Sequence, residues 1–124
     1  MMRWSYVAML LLLAACAQPP RASASLLPPV VAAWQRKSLR GLPPPKVTIA
    51  RSFEAFYEGA GKLTVDLYEA KVSGAAFEMT QHWRATPDTV FFDKGVYFVV
   101  VKWEQADREA LKAFVRALER NLEQ

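Results

Sequence analysis

The sequence predicts an α+β domain, a mainly antiparallel sheet of about four strands with two packed helices, the second of them C-terminal. Three observations predict it. Residues 62–69 alternate Leu63, Val65 and Leu67 with Thr64, Asp66 and Tyr68, the period of a half-buried strand. Residues 96–101 are apolar on both faces, which places that strand centrally with cover on both sides. In residues 107–122, Leu111, Phe114, Val115, Leu118 and Leu122 fall on one helical stripe.

The chain opens with a basic Met1-Met2-Arg3 and an apolar run from Tyr6 to Leu13, followed by the small residues Ala14 and Ala15. That is the pattern of a secretory signal over residues 1–15. The apolar run ends at Gln18-Pro19-Pro20, short of the roughly 20 residues a membrane-spanning helix needs. Cys16 is the only cysteine in the 124 residues. Leu13-Ala14-Ala15-Cys16 resembles the lipobox of bacterial lipoproteins, the type II signal peptides. The resemblance implies cleavage between Ala15 and Cys16, a diacylglyceryl group on the Cys16 sulfur, and a fatty acyl chain such as palmitate on the new amino group. Such a protein is expected in the cell envelope, and Ala17 rather than an acidic residue after the cysteine favours the outer membrane, facing the periplasm. Lipidation also accounts for a lone thiol in an oxidising compartment, where it would have no intramolecular partner.

Residues 16–26 read as the lipidated cysteine and a flexible tether, because Gln18, Pro19, Pro20, Ser23 and Ser25 cannot build a core. Residues 27–124 read as a single small domain. Pro28 and Pro29 block a helix at its start, and a short helical turn is expected over residues 30–36, with Trp34 docking on the body. Gly41-Leu42-Pro43-Pro44-Pro45 reads as a rigid connector. Residues 47–50 form a short strand candidate, and residues 53–57 fit strand or helical turn equally. Gly59-Ala60-Gly61 bends the chain into the strand at residues 62–69.

Ser73 suits a helix cap, and residues 74–84 then place Ala76, Phe77, Thr80 and Trp83 on one side, ending before Pro87. Residues 90–92 and 96–103 are strands joined at Asp93-Lys94-Gly95, where Gly95 supplies a left-handed turn residue. The final helix carries Asp107 and Glu109 in its first turn and Arg116 and Arg120 near its end, matching the helix dipole.

Charge is uneven. Residues 17–53 hold six basic residues and no acid, while residues 54–124 hold nine bases and twelve acids. The basic segment, with Arg21, Arg36, Lys37 and Arg40, either rests on anionic lipid head groups, each cation contributing on the order of 1 kcal/mol, or packs near its own acidic domain. Nucleic acid is not an expected partner, since the charge is not focused into an aromatic-lined patch.

The body is also similar to a family of exported bacterial proteins known as a domain of unknown function. The likeness rests on Leu27-Pro28 with Trp34, the strand Leu63-Thr64-Val65-Asp66-Leu67-Tyr68, Ala75-Ala76-Phe77, and Lys94-Gly95-Val96-Tyr97 before the last helix. It implies the element order and an exported location, and brings no catalytic residue.

Residues for chemistry are few. His82 is the only histidine, no zinc-type spacing exists, and no Gly-x-Ser-x-Gly turn is present. No metal, cofactor or catalytic residue is expected. Asp66 with Asp88 or Asp93 is the sole candidate acid pair, and three solvated acids is the simpler reading. Tyr68, Tyr97 and Trp103 are the candidate binding face if they share an exposed side of the sheet; otherwise they are core. The expected role is a lipid-anchored, non-catalytic binding or scaffolding module meeting an envelope protein. The alternative is a carrier or sensor holding a small apolar ligand between sheet and C-terminal helix.

Overall fold

A computed structural model describes residues 20–124. The expected signal, the lipobox-like segment, the expected cleavage between Ala15 and Cys16 and the expected lipidation of Cys16 lie outside the described residues. Nine elements follow in order: α1 (Ser23–Leu26), β1 (Val30–Val31), β2 (Trp34–Leu42), β3 (Ile49–Gly59), β4 (Gly61–Ala70), α2 (Ser73–His82), β5 (Thr89–Lys94), β6 (Tyr97–Glu104) and α3 (Arg108–Leu122). The six strands form one antiparallel sheet in the order β1-β2-β3-β4-β6-β5, curled into a half-barrel.

This corrects the expected architecture. The fold is mainly sheet, with six strands rather than about four and three helices rather than two. The missed strands are β1 and β2, a hairpin in the segment read as a helical turn and a connector. Its tip is tight: Val31 pairs with Trp34, and Ala32 takes φ +51°. A β-bulge between Arg36 and Ser38 shifts the β2 register. The bulge inserts one residue and flips the side-chain parity. Trp34, Arg36, Leu39 and Gly41 therefore share the inner face, a spacing that matches neither a strand nor a helix repeat.

The long β3–β4 hairpin makes the centre of the sheet. Gly59 pairs with Gly61 across Ala60, so the glycine-rich bend is a hairpin turn. Phe53, Ala55 and Tyr57 point inward and Ser52, Glu54 and Phe56 outward, which settles residues 53–57 as strand. After β4 the chain crosses over the outer face as α2, reaches the far edge as β5, and returns as β6 between β5 and β4. Gly95 takes φ +58° in the β5–β6 turn, as its freedom from a Cβ permits.

Each face of the sheet carries its own core. On the concave face α3 packs Leu111, Phe114, Leu118 and Leu122 against Tyr57, Leu63, Val65, Leu67, Val99 and Val101, with Leu26, Leu27 and Trp34 closing one side. Phe114 sits edge-on to Tyr57 at 5.0 Å and to Trp34 at 6.1 Å between ring centroids. On the convex face α2 lays Ala76 and Met79 over Phe98, Val100, Ile49 and Ala70. Phe77 points away from the sheet, 53% exposed, correcting its expected place on the buried side: positions 76, 79, 80 and 83 form the stripe, and Phe77 lies about 100° around the helix from Ala76. Val72, not Ser73, is the residue before the first turn of α2, and no side chain caps it.

The packed body also reaches into the segment read as tether. Leu26 is fully buried, and the Arg21 guanidinium donates to the carbonyls of Asn121 (3.0 Å) and Gln124 (3.2 Å) at the end of α3.

Candidate functional site

A candidate binding groove lies between α3 and the β5 edge. Two contacts fix α3 at its start. The Asp107 carboxylate accepts from the Ala110 backbone N–H at 2.9 Å, an N-cap, and the Trp34 indole donates to the Ala110 carbonyl at 3.1 Å. The flank of α3 beside β5 then presents Arg108, Lys112 and Arg116, one per turn. Below them Leu111 and Val115 meet Val90 of β5 and Trp103 of β6, making an open, apolar-floored groove of about 330 Å³. Lys112 lies 3.4 Å from Glu109. Among the described residues no carboxylate pairs with Arg108 or Arg116. At the far end, a 2.8 Å ion pair between Lys94 and Glu123 holds β5 to α3.

Trp103 also forms one wall of a larger polar recess of about 880 Å³, at the end of the β3–β4 hairpin, with Glu58, Lys62, Asp88 and Glu104 around it. The backbone is unusual here: Asp88 takes φ +60° and Gln105 φ +49°. The Trp103 N–H donates to the Asp88 carbonyl (3.0 Å), and two residues after Gln105 the Asp107 N–H donates to the Ala60 carbonyl (3.0 Å). A Cβ at Gly61 would lie 2.7 Å from the Ala106 Cα and 2.8 Å from the Gln105 carbonyl oxygen. The recess is thus the seam where the hairpin tip docks on the chain leading into α3. Among the described residues no three of His, Cys, Asp and Glu group to hold a metal ion.

The convex face of β2, β3 and β4, beside α2, carries a row of charge. Arg40, Glu54 and Asp66 are successive cross-strand neighbours. Arg40 pairs with Glu54 at 2.6 Å, and Lys102 reaches Asp66 at 3.4 Å. Burial pushes the Asp66 carboxyl above its ordinary range, and Lys102 only partly offsets this. On the concave side Arg51 grips Glu69 through two 2.7 Å hydrogen bonds and lies 5.2 Å from the Phe53 ring centroid. The Tyr57 phenol is buried, its titration pushed upward by desolvation, and donates to the Pro28 carbonyl at 2.7 Å.

The expected binding residues divide between two faces. Tyr68 is on the convex face, among Trp83 and Phe98 beneath α2. Tyr97 and Trp103 lie on the concave face, Tyr97 nearly buried and Trp103 half-buried in the groove. Only Trp103 reaches the candidate site. Asp66 sits mid-strand, Asp88 in the loop before β5, and Asp93 accepts from the Thr80 hydroxyl at 2.8 Å. His82 is exposed, its Nδ1 2.9 Å from the Glu78 carbonyl. Of the basic collar, Arg21, Arg36, Arg40 and Arg51 are each held by partners within the body: Arg36 by the Leu27 carbonyl, the others as described. Lys37 stands exposed on the β2 bulge.

The space between sheet and α3, where the alternative reading put an apolar ligand, is filled at its centre by Trp34, Tyr57 and Phe114. The sequence reading missed the groove cations as a set. Their spacing at 108, 112 and 116 was visible; the nearness of Val90 was not, because it depends on α2 carrying the chain to the far edge. Comparison with family models, with curated proteins and with solved structures finds no match to the chain.

Proposed function

We propose that this chain is a lipid-anchored, non-catalytic binding module of a bacterial envelope, fastened by acylated Cys16 and engaging an envelope partner through the groove between α3 and β5. The observation that carries the binding role is the groove itself: a hydrocarbon floor flanked by three cations on one helix face, two of them without an ion-pair partner among the described residues. The lipobox-like Leu13-Ala14-Ala15-Cys16 carries the anchor, and Ala17 favours the outer membrane, periplasmic side. The body begins packing at Arg21, so at most about 3.5 Å per residue separates it from the modified cysteine. That keeps the body beside the bilayer rather than at the end of a long stalk. On this reading the collar arginines serve chiefly to hold the N-terminal segment and the sheet together, and Lys37 is the collar cation best placed to meet anionic lipid. A ligand enclosed between sheet and helix is disfavoured, because aromatic rings occupy that volume.

The test is fractionation of a bacterium producing the full chain. The Cys16→Ser variant should leave the membrane pellet while the parent stays in it after an alkaline wash. A photo-crosslinking residue at Val115 should give a discrete adduct in intact envelopes, and one at Gln81, exposed on α2, should not. A membrane-bound Cys16→Ser chain would overturn the anchor, and equal labelling from both positions would overturn the groove.

A further inference from the structure

The groove runs beside a sheet edge that lacks the usual protection. Natural edge strands are blunted by short length, proline, bulges or charges along the edge. The opposite edge, β2, shows such devices: a bulge at Lys37, the exposed Lys37 cation itself, and the small β1 strand over its start. β5 has six residues in unbroken register with β6, no proline and no bulge, and reads Thr89-Val90-Phe91-Phe92 before its first charge. Its two charged residues are already engaged, Asp93 with Thr80 and Lys94 with Glu123. β5 ends the sheet order, and among the described residues no backbone hydrogen bond outside the sheet engages it, so the groups on its far side are open to a further strand.

We propose that β5 accepts an extended peptide segment of an envelope protein as a seventh strand, with an acidic-x-apolar-x-acidic pattern on the side facing α3. This deepens the binding role above by naming the class of partner. An added strand hydrogen-bonds to the edge and sends every second side chain into the adjoining pocket. Val90 lines the groove with the first half of α3, and Lys94 meets Glu123 near its end, so strand and helix run side by side. From Arg108 to Arg116 the helix rises about 12 Å at 1.5 Å per residue. Four strand residues span about 13.6 Å at 3.4 Å each. Two inward acids four residues apart thus match the two unpaired arginines, and the inward apolar residue between them falls on the floor made by Val90, Trp103, Leu111 and Val115. The three cations disfavour a second copy of this chain pairing β5 to β5, since that would bring two basic rows together.

The test uses the full chain in phosphatidylcholine nanodiscs and a blocked peptide, Thr-Ser-Glu-Thr-Leu-Thr-Glu-Ser-Thr. Saturable binding with Kd below about 1 mM is expected, with amide shifts confined to residues 89–94, Trp103 and residues 108–116, and slowed hydrogen exchange in β5. Replacing both glutamates of the peptide with lysine should weaken binding by about tenfold or more, and an Arg108→Glu, Arg116→Glu double variant should reverse that preference. Equal affinity for both peptides, shifts outside these elements, or unchanged β5 exchange would overturn the proposal. Saturable binding of dodecanoate in the groove with no peptide binding would overturn it as well, in favour of an amphiphile site. Failure here leaves the Cys16 fractionation result untouched, so the two readings fall separately.

Discussion

Phe114 is the residue on which the concave core turns, and its removal gives the sharpest test of that core. Its side chain is fully buried and packs edge-on against both Tyr57 and Trp34. Truncating a buried phenylalanine to alanine costs about 3–5 kcal/mol in lost transfer energy and residual cavity. The two ring contacts, each worth about 0.5–1.5 kcal/mol beyond area, put this site at the upper end of that range. A domain of this size has only about 5–15 kcal/mol in total. Phe114→Ala should therefore remove about 4–5 kcal/mol and lower the melting temperature by roughly 16–30 °C. Phe114→Leu keeps most of the volume and should cost about 1–2 kcal/mol. Urea titrations followed by far-ultraviolet circular dichroism, with unchanged m-value for the leucine variant, supply the measurement. A loss below about 1 kcal/mol for Phe114→Ala would mean that α3 is not seated on the sheet as described.

Other substitutions probe separate parts of the structure. Gly61→Ala places a Cβ against Ala106 and Gln105 at a φ of +137°, and should cost about 1–3 kcal/mol in chemical denaturation; a neutral result would refute the close approach at the hairpin tip. Asp107→Ala removes the α3 cap and should cost about 1 kcal/mol, read from the same titration; no loss would show the cap to be idle. Leu118→Asp puts a charge into the seam between helix and sheet and should abolish cooperative unfolding, whereas an unchanged melting temperature would contradict the stripe. The Asp66 carboxyl titrates above its ordinary range because burial disfavours its charge, so ionisation costs stability. That cost is absent below the unfolded-state value and grows as pH rises to the elevated folded-state value. Asp66→Asn should therefore stabilise the protein at pH 7 and give no gain at pH 3; a gain independent of pH would assign the effect to something other than charge.

The parts of the fold legible in the sequence are those whose pattern is local and unbroken. β4 alternates cleanly, β6 is apolar on both faces, and α3 keeps one stripe for four turns, so each is found within a residue or two. β2 is hidden because its bulge changes the parity of Leu39 relative to Trp34, and because Arg36 and Lys37 occupy positions that a sequence pattern assigns to solvent. β1 has only two residues and gains its identity from pairing with β2. The aromatic face was illegible for a different reason. Tyr68 pairs with Phe98, the residue after Tyr97, so Tyr68 and Tyr97 must lie on opposite sides, but that follows only once the strand register is known. The groove cations were legible as a helix row; the edge strand beside them was not, since strand order is set by the crossover through α2.

The proposed lipid at Cys16 would make the groove an envelope surface and would hold the body near a membrane. The direct measurement is the mass of the N-terminal peptide from protein purified out of the membranes of a bacterium that produces it. A peptide beginning at Cys16 with a diacylglyceryl group on sulfur and an acyl chain on nitrogen is expected. A peptide with an unmodified Cys16, or a mature chain starting at another residue, would contradict the lipid anchor.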